Sequence, residues 1–248
     1  MQERIEILKA TPGPVVSLAA MYSEKDGDYF EYERQDMLEF FPPGARRTLD
    51  VGCGGGAFGH SLKKQFGCEV WGVESQPEAA EKASSRLDHV VNAYFGEDID
   101  LPFEHFDCIF FNDVLEHMAN PWAALELAKQ YLTKCGVVVA SIPSIRQFPT
   151  LWKLVVRKEW RYQKAGTLDR THLRFFTRQT IQELFFDSGY RIDVLKGIGP
   201  FNSLDSDDQL WRYFKVLNIL TLGWIRDMKF LQYAVRAQPV GEVQAGNP

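Results

Sequence analysis

The sequence has few of the features that would place it outside the ordinary α/β enzymes. Its four cysteines, Cys53, Cys68, Cys108 and Cys135, form no CxxC pair and lie in or beside apolar stretches, as buried free thiols do. That argues against both a disulfide framework and a zinc site. The five histidines lack any HExxH or HxxxH spacing that would set two ligands on one helix face, so no structural metal is expected. No Gly-Lys-Ser or Gly-Lys-Thr follows the glycine-rich stretch, which excludes a Walker loop. No apolar run is long enough to span a bilayer. The N-terminus, MQERIEILKATPGPVV, scatters charges where a secretory signal carries a continuous apolar core, so a cytoplasmic location is expected. Internal repeats and low-complexity segments are also missing.

What remains is a chain of 248 residues, 45% hydrophobic and 25% charged, close to the averages for soluble globular proteins. That length supports one α/β domain carrying an added substrate-binding segment. From Thr48 to Ile142, short apolar runs alternate with helical patterns, as βαβ units with a parallel sheet require. The strands expected are RTLDVG, EVWGVE, HVVNA, FDCIFFND and GVVVASIP. Between them AFGHSLKKQF, PEAAEKASSRL and PWAALELAKQYL carry apolar positions three or four apart and read as amphipathic crossover helices. A helix in TRQTIQELFFDSG follows, with Thr177 as N-cap and Gly189 as stop. YRIDVLKGI and FLQYAVRAQP complete a doubly wound, mostly parallel seven-stranded sheet with helices on both faces and an antiparallel last strand. The expected organisation is an N-terminal helical lid (1–47), a ligand-binding core (48–143), a basic aromatic insertion (144–178) and a C-terminal part (179–248) with a helical stretch near 206–225.

LDVGCGGGAFG sets Gly52, Gly54, Gly55 and Gly56 directly between a strand and a helix, where missing Cβ atoms let a ligand approach the backbone. In open α/β sheets the crevice at the strand carboxyl ends binds nucleotides, and a helix N-terminus offers amide donors to an anion. The loop also satisfies GxGxxA through Gly52, Gly54 and Ala57, with Glu74 about twenty residues on, which is the spacing of a nicotinamide dinucleotide site. Asp50 argues against that reading. It is an acid closing an apolar strand, and its burial costs several kcal/mol unless it is paired. An amino-acid ligand brings an ammonium group to it, whereas a pyrophosphate would be repelled.

These residues resemble the class I S-adenosylmethionine-dependent methyltransferases. DVGCGGG is similar to that family's first motif, GVE at Gly72–Glu74 to its second, and FDCIFFNDVLEHM to its fourth; the resemblance covers roughly residues 29–190. It implies S-adenosyl-L-methionine as cofactor and S-adenosyl-L-homocysteine as product. It puts Gly52, Gly54 and Gly56 along the methionine moiety, Asp50 near its ammonium and Glu74 on the ribose hydroxyls. Glu97 or Asp98 would meet the adenine amino group, and Asn112 and Asp113 would form the floor beneath the sulfonium. Tyr32 and Arg34 resemble an N-terminal cofactor lid, though a solvated amphipathic helix fits them equally well.

A sulfonium methyl is already electrophilic, so an enzyme mainly aligns an acceptor lone pair with it and excludes water. A hydroxyl acceptor also gains from a general base near neutral pKa. His117 in VLEHMANP and His172 in LDRTHLRFFT are the candidates, with His172 preferred; either could instead be a structural donor. Segment 144–178 carries nine Lys or Arg against Glu159 and Asp169, with aromatic residues interleaved. The whole chain has a net charge of −5 and a pI near 5.6, so no nucleic-acid partner is expected. An anionic small-molecule acceptor fits better, with Arg170 and Arg174 as anion contacts and Trp160 and Tyr162 as stacking surfaces. GTLDRTHLRFFT resembles a branch acting in glycan pathways, which implies O-methylation of a sugar or similar hydroxylated, phosphate-bearing metabolite. VLEHMANP also resembles quinone-type phenol methyltransferases, and a nicotinamide oxidoreductase or a non-catalytic binding module remain alternatives.

Overall fold

The computed structural model describes residues 33–201 and 208–241. A 3-10 helix at Gln35–Phe40 leads into β1 (Arg47–Val51), α1 (Ala57–Phe66), β2 (Glu69–Glu74), α2 (Pro77–Ser84), β3 (His89–Asn92) and β4 (Phe106–Asn112). A 3-10 turn, Leu115–His117, precedes α3 (Pro121–Tyr131), β5 (Leu132–Pro143), α4 (Phe148–Val156), α5 (Arg178–Asp187), β6 (Tyr190–Pro200) and α6 (Asp208–Leu220). A 3-10 turn at Arg226–Lys229 then enters β7 (Phe230–Pro239). The strands form one sheet in the order β3-β2-β1-β4-β5-β7-β6. β7 alone runs antiparallel to its neighbours, β5 and β6, and strand order reverses at β1, which pairs with both β2 and β4. That reversal opens the crevice in which such sheets bind ligands.

Both faces of the sheet are apolar, because helices cover each of them. Along β4, Ile109 and Phe111 belong to the core under α3 and α5, with Leu125, Leu184 and Phe185. Cys108 and Phe110 point the other way, onto Phe58 and Leu62 of α1 and Met37 and Phe40 of the N-terminal turn. Local sequence sets the helix ends. Asn120 accepts the Ala123 amide at 3.1 Å ahead of Pro121, and Thr177 caps α5 through a reciprocal pair with Thr180, as its side chain predicts.

The structure differs from expectation at four places. β5 starts at Leu132 rather than Gly136, because its first residue pairs with Phe106 across a register shift. Cys135 is exposed, unlike the other three cysteines. Within 144–178 the apolar stretch FPTLWKLVV forms a helix, α4, with Pro149 in its first turn. The helical stretch near 206–225 ends at Leu220, where a turn around Leu222 and Gly223, both at positive φ, stops it. α4 and α6 pack together as a small cap with its own core of Phe148, Phe201, Phe214, Ile225 and Met228.

Candidate functional site

The chain leaves β1 through Gly52, at φ 71°. A Cβ there would lie 2.6 Å from Val114 Cγ2, so the turn requires glycine. Gly54, at φ 53°, donates its N–H to Glu74 Oε2 at 2.9 Å, and Gln76 donates to Glu74 Oε1 at 2.8 Å. The buried Glu74 carboxylate thus ties the glycine loop to the end of β2, and each oxygen retains acceptor capacity for a further donor. Asp50 is 2% exposed. Burial, reinforced by the charge of Glu74 and opposed by that of Arg34, pushes its pKa up to about 8. Burial thus favours the neutral form of this carboxyl at pH 7.

At the end of β4, both polar side-chain atoms of Asn112 are buried without a hydrogen-bond partner among the described residues. Asp113 adopts a left-handed backbone, φ 55°, and receives Ser141 Oγ at 3.1 Å and Gln232 Nε2 at 2.8 Å. Arg34 completes that cluster with an ion pair to Asp113 and bonds to Ser141 Oγ at 3.1 Å and Gln232 Oε1 at 3.0 Å. The N-terminal segment is therefore pinned across β4, β5 and β7. Burial raises the pKa of Asp113, and the Arg34 charge opposes the rise.

The basic insertion folds back onto the 3-10 turn after β4. Leu173 and Arg174 donate their N–H groups to the Glu116 carbonyl at 2.9 and 3.0 Å, and the Thr171 amide and hydroxyl donate to the buried Asp169 carboxylate at 2.8 and 2.7 Å. This brings His117 and His172 together, with ring centroids 4.6 Å apart at 74°. His117 Nδ1 lies 3.1 Å from the Thr171 carbonyl oxygen and His172 Nδ1 lies 3.1 Å from that of Thr167. A carbonyl can only accept, so each Nδ1 donates the proton in its bond. The Glu116 carboxyl, 1% exposed, has no hydrogen-bond partner at either oxygen among the described residues and stands 3.9 Å from His172 Nε2. Burial first, then the neighbouring Asp113, holds its pKa well above the usual carboxylate range. Ligand atoms of Glu116, His117 and His172 lie within 4.8 Å of one another, so the trio could also hold a divalent ion, with backbone carbonyls orienting both imidazoles.

One cavity of about 910 Å³ joins these parts, near the upper end of the range for small-molecule sites. Asp50, Gly52, Gly54, Glu74, Asn112, Asp113, Arg34, His117 and His172 all line it. Gly56 does not. A Cβ there would meet Ala83 Cα at 3.1 Å, so this glycine serves the packing of α1 on α2. Glu97 and Asp98 lie exposed in the turn after β3, while Ala93, Tyr94 and Phe95 line the cavity in their place. Of the expected acceptor contacts, Arg170, Arg174, Trp160 and Tyr162 are not among the lining residues. Arg174 instead donates to the Ala119 carbonyl at 2.6 Å, and Trp160 packs on Phe175. Tyr32 lies outside the described residues. The insertion contributes Lys153, Gln163, Thr167 and Leu168 to the wall. Glu116, Lys153 and Gln232 carry no sequence signal of their own, although Glu116 adjoins a histidine already singled out.

The methyltransferase domain family model matches residues 26–194, and this span covers β1 to β5, the glycine loop and both histidines. The chain belongs to the methyltransferase family. A ubiquinone biosynthesis O-methyltransferase of Cereibacter sphaeroides is 28% identical over 169 residues, 64% of this chain and 65% of the relative. The match thus spans slightly less than two thirds of that relative's length. A ubiquinone biosynthesis O-methyltransferase of Dinoroseobacter shibae is 31% identical over 184 residues, 70% of this chain and 71% of the relative. The fold of this methyltransferase is that of an S-adenosylmethionine-dependent methyltransferase from Archaeoglobus fulgidus, with a TM-score of 0.59 and 19% identity over 89% of this chain and 97% of that one. A phosphoethanolamine N-methyltransferase 2 of Haemonchus contortus, solved with S-adenosyl-L-methionine, superposes with a TM-score of 0.56 and 15% identity over 90% of this chain and 58% of that one.

Proposed function

We propose that this methyltransferase binds S-adenosyl-L-methionine in the 910 Å³ cavity and methylates a hydroxyl group on a largely apolar, aromatic acceptor. The observation carrying this reading is that one cavity is lined both by a cradle suited to the cofactor and by the His117–His172 pair. The cradle fits on its own chemistry. Asp50 is a buried carboxyl that an ammonium would pair, Gly52 and Gly54 are left-handed glycines on the cavity wall, Glu74 has spare acceptor capacity, and the Asn112 amide has no partner among the described residues. When bound, the cofactor supplies an electrophilic methyl group. The protein's share is to hold the acceptor oxygen in line, exclude water, and take the hydroxyl proton on an imidazole Nε2, with His172 preferred.

The aromatic acceptor is favoured over a phosphorylated sugar because the expected arginines are absent from the wall. Lys153 is the one cationic lining residue contributed by the insertion, beside apolar Pro149, Leu168 and, from elsewhere in the chain, Met118 and Leu231. The relatives named ubiquinone biosynthesis O-methyltransferase support the same choice. The test is turnover of a panel of catechols and hydroxylated sugars by the wild type, His172→Ala and His117→Ala. Loss of about a hundredfold to ten-thousandfold in rate for His172→Ala, with S-adenosylhomocysteine affinity unchanged, is expected of a general base. Turnover within a few-fold of wild type in both variants would remove the base from the reading. Should the Glu116, His117 and His172 trio act through a divalent ion, dialysis against a chelator would abolish turnover and added magnesium would restore it.

A further inference from the structure

The outer surface of the α4–α6 cap has no role in the site just described, and its composition is unusual. On α6, Leu210, Trp211 and Phe214 face the cap's small core, which satisfies one apolar stripe. A second stripe, Tyr213, Val216, Leu217 and Leu220, follows the i, i+3, i+4, i+7 spacing of one helix face and is exposed along its length. The turn beyond it carries Leu222 at 96% and Trp224 at 74% exposure, and Val155 at the end of α4 stands at 72%. A helix apolar on two faces is normally buried on both, and an exposed patch of this kind marks an interaction surface.

Charge selects the partner. Segments 148–164 and 208–229 hold nine Lys or Arg against Glu159, Asp208 and Asp227, in a chain whose net charge is −5. Two of these acids are occupied locally, Glu159 at 3.8 Å from Arg161 and Asp227 at 3.1 Å from Arg146. Arg212 and Lys215 on α6, and Arg157 and Lys158 at the end of α4, are exposed. A twofold contact with a second copy would set this basic collar against itself. No described helix is long and apolar enough to cross a membrane. Exposed leucine and tryptophan on a cap that also exposes arginine and lysine, Arg226 two residues beyond Trp224 among them, are instead the signature of a surface that lies in the headgroup region of an anionic bilayer.

We propose that the α4–α6 cap seats this methyltransferase peripherally on anionic phospholipid bilayers, with Leu220, Leu222 and Trp224 inserted and the collar on the headgroups. α4 also lends Pro149, Thr150 and Lys153 to the cavity wall, so the seated helix adjoins the acceptor site. Membrane attachment is read without turnover, so its failure and that of the aromatic-acceptor reading are separate results.

The experiment is cosedimentation of the full chain with vesicles of phosphatidylcholine alone and of phosphatidylcholine containing about one third phosphatidylglycerol. Binding to the anionic vesicles, weakened by added salt, is expected. Leu220→Asp/Leu222→Asp, whose positions are exposed and so should preserve the melting temperature, should weaken it by more than about tenfold. Arg157→Glu/Lys158→Glu should weaken it and flatten its salt dependence. No binding to anionic vesicles would overturn the proposal, as would binding that the Leu220→Asp/Leu222→Asp variant retains. A dimer that this variant dissociates, without vesicle binding, would overturn it in favour of a second copy.

Discussion

Asp50 has the most specific chemistry of any single residue in the site. Its carboxyl is pushed up to about 8 from the ordinary 3.8, so the unliganded folded state holds a proton that the unfolded chain releases near pH 4. Folding is therefore progressively disfavoured by this group as pH rises from about 4 to 8, at about 1.4 kcal/mol per pKa unit. Asp50→Asn should accordingly melt at a higher temperature than wild type at pH 8, with the difference shrinking toward pH 5. The same variant should bind S-adenosylhomocysteine more weakly, having lost its partner for the ammonium. Below pH 8 wild-type binding should release a proton, seen as a dependence of calorimetric heat on buffer ionisation enthalpy. Heats that do not vary with buffer would show that Asp50 stays protonated and does not face the ammonium. The sequence made Asp50 conspicuous because an acid ending an apolar strand has few structural reasons to exist. Glu116 escaped notice because nothing in VLEHMANP reveals that its carboxyl is buried without a partner.

At the scale of elements, the insertion is held on the site by a few local bonds. The Asp169 carboxylate fixes the Thr171 amide and hydroxyl, and the 170–174 stretch then reaches the Glu116 and Ala119 carbonyls. Asp169→Ala leaves the glycine loop untouched, so it should lower turnover at least tenfold while S-adenosylhomocysteine affinity stays within a few-fold of wild type. Equal losses in both would mean that the insertion shapes the cofactor cradle as well. The strands were legible as short apolar runs bounded by turn residues, and the crossover helices by their 3.6-residue period. The insertion has no such period. Its basic and aromatic residues advertised a ligand wall, yet backbone turns, such as the one the Asp169 carboxylate closes on Thr171, decide which of them face inward. Arg174 became a carbonyl clamp, and Lys153, on α4, a wall residue. α4 went unseen because its nine residues lie in a segment otherwise dominated by charge.

The whole molecule combines an acidic Rossmann-like body with a basic side that carries both the insertion and the cap, and the cavity lies where the strand order reverses. Everything proposed about the acceptor depends on the cofactor occupying that cavity with its ribose on Glu74. The most direct test is isothermal titration of S-adenosylhomocysteine into wild type and Glu74→Ala. One site per chain is predicted, with affinity reduced in the variant by about 2 to 4 kcal/mol for two lost charge-assisted hydrogen bonds, roughly 30- to 1000-fold. Binding of NADH in place of S-adenosylhomocysteine, or equal affinity of wild type and Glu74→Ala for S-adenosylhomocysteine, would contradict it.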